Sequence, residues 1–295
     1  MPIANSELIL NEDGSIYHLH LKPEHLAQTI ITVGDPDRVD QVTQHFDHIE
    51  FKIHKREFHT QTGAYKGRRI TVISTGIGTD NIDIVFNELD ALVNIDFSSR
   101  EIKNNLTSLY IIRIGTSGAV QKDIPVDSFL ISEAAIGFDS LLHFYDSNAI
   151  QSHDISKKLI QHLKWDKNKS TPYVVYGDRN LINHLLGDSI EKGITVTNVG
   201  FYGPQGRVLR LPLQDKELND KIASFSYKNK RITNLEMETA GIYGIAKLLG
   251  HKAISMNAIL ANRTTGEFSK TPQKTIDLLI KYTLDKLIEP LVHLG

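Results

Sequence analysis

The alternation of strand-like and helical segments constrains the fold of this chain more than any other feature. Runs rich in Ile and Val recur throughout, and several are apolar at consecutive positions, as in strands covered on both faces. These runs lie at 29–35, 69–75, 109–115, 128–137, 194–200 and 252–261. Helical periodicity lies between or after them, at 81–94, 237–250 and 271–294. The alternation predicts an α/β fold with helices on the faces of a sheet.

The bulk composition excludes several classes of protein. No repeat, low-complexity tract or linker is present, so one domain over residues 1–295 is the simplest interpretation. The net charge of −2 offers no basic surface for nucleic acid or an anionic membrane. The absence of cysteine excludes disulfides and thiolate zinc sites. No signal peptide or membrane-spanning run is evident, so we expect a cytoplasmic protein that binds neither nucleic acid nor membrane.

Polar and glycine-rich clusters follow three of the strand-like runs. They read GDPDR at 34–38, TGIGTDN at 75–81 and GTSG at 115–118. Because ligands gather at the carboxyl ends of strands in α/β folds, the three clusters predict one shared pocket. The middle cluster does not complete G-x-G-x-x-G, since Asn81 takes the third glycine position, and no P-loop is present. A dinucleotide or nucleoside triphosphate site of those two kinds is therefore disfavoured.

Arg113 is the one charge in an otherwise apolar run, IIRIG. An unpaired guanidinium is costly to bury, so it needs an anion. A phosphate gripped bidentately and a structural carboxylate are both open at this point.

Two further clusters carry polar groups suited to a nucleoside. Glu236 and Glu238 stand at a predicted strand-to-helix junction, where a carboxylate can accept hydrogen bonds from ribose hydroxyls or simply favour the helix start. Gln205 and Arg207 lie in FYGPQGR and could read a ring with adjacent N–H and C=O groups, or form an ordinary polar loop.

The histidines of HLH, His18 and His20, could share a face of an extended segment. No further ligands at metal spacing accompany them, which disfavours a zinc site.

Taken in order, these motifs resemble the nucleoside phosphorylase family, and more narrowly its uridine phosphorylases. The motifs are GDPDRV, HKREF, STGIG, RIGTSG, FYGPQGR, NLEMETAGIY and LANRT. The resemblance implies a three-layer α/β/α fold with a central mixed, partly barrel-like sheet. It also implies a homo-oligomer, a dimer or a hexamer, whose active sites are shared between subunits, and uridine and phosphate as substrates.

The resemblance implies a role for each matching residue. Phosphate would be bound by Gly34, Arg38, Arg56, Arg113 and Thr116, with Arg56 supplied by the neighbouring subunit. Ribose would be bound by Met237, Glu238 and the neighbour's His18. The base would be bound by Gly118, Phe201, Gln205, Arg207 and Arg263. The catalytic groups would be Arg38, Arg113 and Glu238.

The resemblance also implies the substrate and the cofactor. Bacterial purine enzymes of the family carry an Asp near the position of Asn262-Arg263, and its absence here favours a pyrimidine. A purine phosphorylase, a hydrolytic nucleosidase and a non-catalytic nucleoside sensor are the alternatives. No cofactor is expected, since phosphate is a co-substrate. A monovalent cation near Glu57, Ile77 and Asn81 is open, because family members carry a serine where Asn81 stands.

Overall fold

The computed structural model describes residues 2–289, and its elements alternate largely as the sequence predicts. The helices are α1 (Asp37–Thr43), α2 (Thr79–Asn94), α3 (His153–Leu163), α4 (Arg179–Leu185), α5 (Leu218–Ser224), α6 (Thr239–Leu248) and α7 (Pro272–Ile288). The strands are β1 (Thr29–Val33), β2 (His48–Lys55), β3 (Phe58–Tyr65), β4 (Arg68–Ser74), β5 (Ile95–Asp96), β6 (Glu101–Ile102), β7 (Tyr110–Ala119), β8 (Phe129–Gly137), β9 (Tyr173–Tyr176), β10 (Ile190–Thr197), β11 (Ser226–Tyr227), β12 (Lys230–Glu236) and β13 (Lys252–Asn262).

Eleven of these strands form one mixed sheet in the order β11-β12-β10-β8-β13-β7-β1-β4-β3-β2, with β9 paired to β8. The pairs β1–β4, β1–β7, β7–β13, β8–β10 and β10–β12 are parallel. An additional antiparallel pairing, between β7 and β12, closes the strands into a ring of β12, β10, β8, β13 and β7. The expected central mixed, partly barrel-like sheet is therefore confirmed.

Helices cover the sheet as the three-layer α/β/α prediction requires. Helix α2 packs on α6, whereas α7 packs on α1 and α4. Ile82, Phe86 and Leu89 form the buried stripe of α2. Of the helical run predicted over 271–294, α7 accounts for Pro272–Ile288, and residues 290–294 lie outside the described residues.

The hairpin of β2 and β3 was not among the predicted strands. Strand β2 forms the edge of the sheet, where its polar residues are exposed and Phe51 and Ile53 are half-buried. The alternation of Ile49, Phe51 and Ile53 with polar residues is a strand signal that sequence reasoning missed. No helix among residues 2–289 is long and apolar enough to cross a membrane.

Strand register sets the floor of the pocket. In the parallel strands β1, β7 and β13, Thr32 pairs with Arg113 and Arg113 pairs with Ser255. Paired residues on neighbouring strands project to the same face of a sheet. Arg113 therefore lies in a row with other polar side chains that crosses three adjacent strands.

Candidate active site

One cavity of about 750 Å³ gathers most of the residues that the sequence predicts to be functional. Those lining it are Gly34, Arg38, Glu57, Ile77, Asn81, Arg113, Thr116, Gly118, Phe201, Gln205, Arg207, Met237 and Glu238. They come from the segments after β1, β4, β10 and β12, from the β2–β3 turn and from β7. The three glycine-rich clusters thus share one pocket, as predicted.

Arg113 is buried in this cavity and is held by two carboxylates. Its Nη2 lies 2.6 Å from Oε2 of Glu238 and 3.3 Å from Oε2 of Glu236. Burial lowers the pKa of Arg113, but the two carboxylates outweigh it, and the net shift is upward. Of the two open interpretations, the structural carboxylate is therefore present. Phosphate binding by Arg113 stays a prediction.

Gly115 leaves the space that the Arg113 side chain occupies. The two residues are two apart on β7 and face the same side. A Cβ built on Gly115 would lie 1.8 Å from Nη1 of Arg113. A side chain at position 115 would therefore displace the Arg113 guanidinium from the place it occupies beside the two carboxylates.

Glu236 ends β12 and caps the start of α6. Its carboxylate accepts hydrogen bonds from the backbone N–H groups of Glu238 (3.0 Å) and Thr239 (2.9 Å) and from the hydroxyl of Thr197 (2.6 Å). These N–H groups have no partner within the helix. Burial raises the pKa of Glu236, against the opposing effect of the Arg113 charge. Helix-start stabilisation is thus the correct interpretation for this glutamate.

Glu238 has a different environment, because it joins two of the loops that line the cavity. Its Oε1 accepts a hydrogen bond from the backbone N–H of Gly78, at 2.9 Å, while Oε2 contacts Arg113. The STGIG turn is therefore anchored on the carboxylate that is predicted to bind ribose.

Arg38 is buried beside Arg113 but has no carboxylate within 4 Å in the described part of the chain. Its Nη1 donates one long hydrogen bond, 3.5 Å, to the carbonyl of Ile114, and its buried Nε has no acceptor. Burial lowers the pKa of Arg38, and the nearby Asp35 only partly opposes this. The Arg38 guanidinium therefore has N–H groups available to a ligand bound in the cavity.

The opposite end of the cavity is built from FYGPQGR. The guanidinium carbon of Arg207 lies 3.6 Å from the ring centroid of Phe201, which is a cation–π contact. Arg207 Nη1 donates to Oε1 of Gln205, at 2.8 Å, and to the carbonyl of Phe201, at 2.7 Å. Burial, together with the charge of Arg263, lowers the pKa of Arg207 to about 10. Phe201, Gln205 and Arg207 therefore contact one another at this end of the cavity.

Arg263 lies behind that surface and does not line the cavity. Its Nη2 donates to the carbonyl of Gln205, at 3.2 Å, and its Cγ and Cδ cover Gly118. Neighbouring Asn262 is saturated locally, because its amide donates to the carbonyls of Gln121 and Ile124 and accepts from two backbone N–H groups.

Besides Arg263, two predicted residues lie outside this cavity. Arg56 is exposed on the β2–β3 turn, 5.9 Å from the ring of Tyr17. His18 bonds Glu88 through Nδ1, at 2.6 Å. Both were expected to act in a neighbouring subunit's site, and that expectation stays a prediction.

His18 and His20 do not share a face of an extended segment, so that interpretation is wrong. The segment is a turn, and His20 adopts a positive φ of 55°. The two side chains consequently reach different partners, Glu88 and Asp13.

Glu57 and Asn81 meet across Gly76. A Cβ on Gly76 would lie 2.5 Å from Nδ2 of Asn81 and 3.2 Å from Cγ of Glu57. A carboxylate and an amide oxygen are ligand types that hard cations accept. Within residues 2–289 no group of three or more His, Cys, Asp or Glu side chains is placed to hold a metal.

Sequence reasoning missed Ser255 and Asn257, which complete the Arg113 environment. Nη1 of Arg113 lies 3.1 Å from Oδ1 of Asn257 and 3.4 Å from Oγ of Ser255. The signal was present, because these are two polar residues at a spacing of two in an apolar strand. Such spacing places both on one face.

The chain is similar to known proteins over most of its length. A family model described as the phosphorylase superfamily matches residues 28–285. A uridine phosphorylase of Thermococcus kodakarensis is 29% identical over 97% of this chain and 91% of its own length. A DeoD-type purine nucleoside phosphorylase of Listeria monocytogenes is 25% identical over 92% of this chain and 99% of its own. The crystal structure of a Trypanosoma brucei nucleoside phosphorylase with uridine phosphorylase activity superposes with a TM-score of 0.85 at 27% identity, covering 96% of this chain and 99% of that one.

Proposed function

The chain belongs to the phosphorylase superfamily, and we propose that this nucleoside phosphorylase, a pentosyltransferase, cleaves uridine with phosphate. The reaction gives uracil and ribose 1-phosphate and is reversible. A phosphate oxygen forms a bond to the anomeric carbon as the bond from that carbon to the base nitrogen breaks. The electron pair of the broken bond leaves with the base.

The buried, carboxylate-free Arg38 is the single observation that carries the phosphate requirement. A buried guanidinium without an anionic partner is expensive, and Arg38 lies beside Gly34 and Thr116 at the cavity wall. A bound phosphate would supply the missing charge and accept from the unpartnered Nε. A nucleosidase that uses water has no need of such a group.

The two ends of the cavity match the charges that develop during cleavage. The anomeric carbon gains oxocarbenium character, and phosphate held by Arg38 and Arg113 would stand against it as nucleophile and counter-charge. Because both reactants are held in one site, the reaction becomes effectively unimolecular, and this lowers the activation barrier by several kcal/mol. Glu238 would fix the ribose hydroxyls, since its carboxylate is itself fixed by Arg113 and Gly78.

The base end would stabilise the departing uracil. Arg207 and the amide nitrogen of Gln205 are donors aimed at a ring with carbonyl oxygens, where negative charge accumulates. Oε1 of Gln205 already accepts from Arg207, so its Nε2 is left to donate. Phe201 supplies an aromatic wall.

Pyrimidine is favoured over purine by the state of Asn262. A purine needs a proton on its ring nitrogen as it leaves, and an acid after the late strand would supply it. Here the position is an amide whose donors and acceptor are all used within its own loop.

Ultraviolet-monitored cleavage of uridine, with and without phosphate, tests the proposal. We expect loss of the nucleoside signal only when phosphate is present. Cleavage without phosphate would indicate a nucleosidase, and turnover of inosine but not uridine would indicate a purine enzyme. Binding of uridine with no cleavage of either nucleoside would indicate a sensor.

The proposal includes a cytoplasmic homo-oligomer in which Arg56 and His18 complete a neighbour's site, with phosphate as co-substrate and no organic cofactor. A monovalent cation would bind weakly near Glu57, Ile77 and Asn81, beside that interface.

Mixing two inactive variants tests whether the site is shared. In a mixed dimer of Arg56→Ala and Arg113→Ala subunits, one site would carry both defects and the other would have neither. Co-refolding the two variants should then restore activity at one of the two sites of each mixed dimer. If Arg56 acts within its own chain, every site stays defective and no activity returns.

A further inference from the structure

A second cavity, of about 660 Å³, lies at the amino-terminal ends of the strands whose carboxyl ends adjoin the candidate active site. It is lined near the starts of three strands, by Lys192 of β10, Lys230 of β12 and Ala253 of β13. Helix α6, about 15 Å long, begins at the first cavity and presents Tyr243 and Lys247 to the second.

The charges around this second cavity are unbalanced. Of its two carboxylates, Glu133 pairs with Lys230 at 2.8 Å. Asp178 caps α4, accepting from the backbone N–H groups of Asn180 and Leu181. Both acids are therefore already engaged within the protein.

Three cations at the cavity have no such partner. Arg179, Lys192 and Lys247 have no carboxylate within 4 Å among residues 2–289. Three unpaired positive charges around one concavity favour a ligand with several negative charges.

The remaining lining is suited to more than an inorganic ion. Pockets that take drug-sized molecules have volumes of about 300–1,000 Å³, and this one is far larger than a phosphate ion requires. Tyr176, Ile182 and Ala246 add an aromatic ring and apolar surface.

We propose that this cavity binds a nucleoside di- or triphosphate. Arg179, Lys192 and Lys247 would bind the phosphates, and the surface around Tyr176 would receive the base.

The second cavity is distinct from the candidate active site. Tyr243 is buried in its wall, and its hydroxyl is fixed by the carbonyl of Ser132 (2.6 Å) and the N–H of Ser255 (2.9 Å). Ser255 in turn contacts Arg113. Tyr243 and Ser255 therefore stand between the two cavities.

Calorimetric titration of the full chain with magnesium-free ATP tests the proposal. The double variant Lys192→Glu/Lys247→Glu should bind ATP at least tenfold more weakly, because two attractive charges become repulsive. A matched control, Lys157→Glu/Lys158→Glu, makes the same charge change on the exposed face of α3. That control and Arg38→Ala should both bind ATP within about twofold of the unaltered chain.

Each other outcome overturns the proposal. Equal weakening in both lysine doubles would indicate a general charge effect, and weakening only in Arg38→Ala would place ATP in the candidate active site. No binding at millimolar ATP would exclude the site. Inorganic triphosphate that binds as tightly as ATP would overturn the assignment of a nucleotide. Both lysine doubles should keep the uridine cleavage rate of the unaltered chain, which verifies their folding.

Discussion

The two ends of the candidate active site are built on opposite principles. At one end, Arg113 on β7 and Glu236 and Glu238 at the β12–α6 junction are buried and hold one another in place. At the other end, Gln205 and Arg207 lie in the 199–213 loop, where Leu209 is 79% exposed and Leu211 is 75% exposed. A preorganised charged cluster can position phosphate and ribose without rearranging, whereas a loop can admit and release the base. The first end should therefore govern stability as well as chemistry, and the second end chemistry alone.

The largest expected effect comes from Arg113→Ala. Removing the guanidinium leaves two buried carboxylates without their counter-charge, so the free energy of unfolding should fall by about 3–5 kcal/mol. Denaturant unfolding measures this. The matched control is Arg231→Ala, which breaks a bidentate but exposed pair with Asp123 and should cost at most about 1 kcal/mol. Equal losses in the two variants would show that burial does not distinguish the cluster.

Leu235→Ala should have the next largest effect on stability. Leu235 precedes Glu236 on β12 and is 1% exposed. Truncating a buried leucine typically costs about 2–5 kcal/mol, because a cavity remains. A loss below 1 kcal/mol in thermal and denaturant unfolding would mean that the strand supporting the cluster adapts easily.

Arg207→Ala should separate catalysis from stability. Losing one donor to developing charge typically lowers turnover by about 100-fold or more, so kcat/KM for uridine should fall by that order. The free energy of unfolding should fall by at most about 1 kcal/mol, because the lost cation–π contact and hydrogen bonds all lie within one loop. Arg210→Ala, an exposed arginine of the same loop, is the control and should alter neither quantity. A large loss of stability in Arg207→Ala would contradict the proposed division between the two ends.

The smallest effect is expected for Leu209→Ala, the counterpart of Leu235→Ala. Because its side chain is exposed in the 199–213 loop, the free energy of unfolding should change by less than about 0.5 kcal/mol. Comparing the two leucine variants in the same unfolding experiment sharpens the contrast between strand and loop. A cost comparable to that of Leu235→Ala would show that the loop is packed in solution.

Much of the fold could be predicted from local pattern alone. The six apolar runs became β1, β4, β7, β8, β10 and β13, and the glycine clusters marked where the pocket forms. The β2–β3 hairpin escaped prediction because the prediction relied on consecutive apolar residues, whereas the edge strand β2 only alternates Ile49, Phe51 and Ile53 with polar residues. The partly barrel-like closure, which runs through β7 and β12, was expected only from the family resemblance, because pairing between distant strands has no local signature.

The sequence by itself predicted most of the residues that line the candidate site, but not what each of them contacts. It identified Arg113 as a charge that needs an anion. Only the tertiary structure decided that two glutamates meet it, that Glu236 caps α6 and that Arg38 remains without a carboxylate. Residue type and spacing report the chemistry that a side chain can perform. Partners are chosen by the register of strands far apart in the chain, and that register depends on how the whole sheet packs.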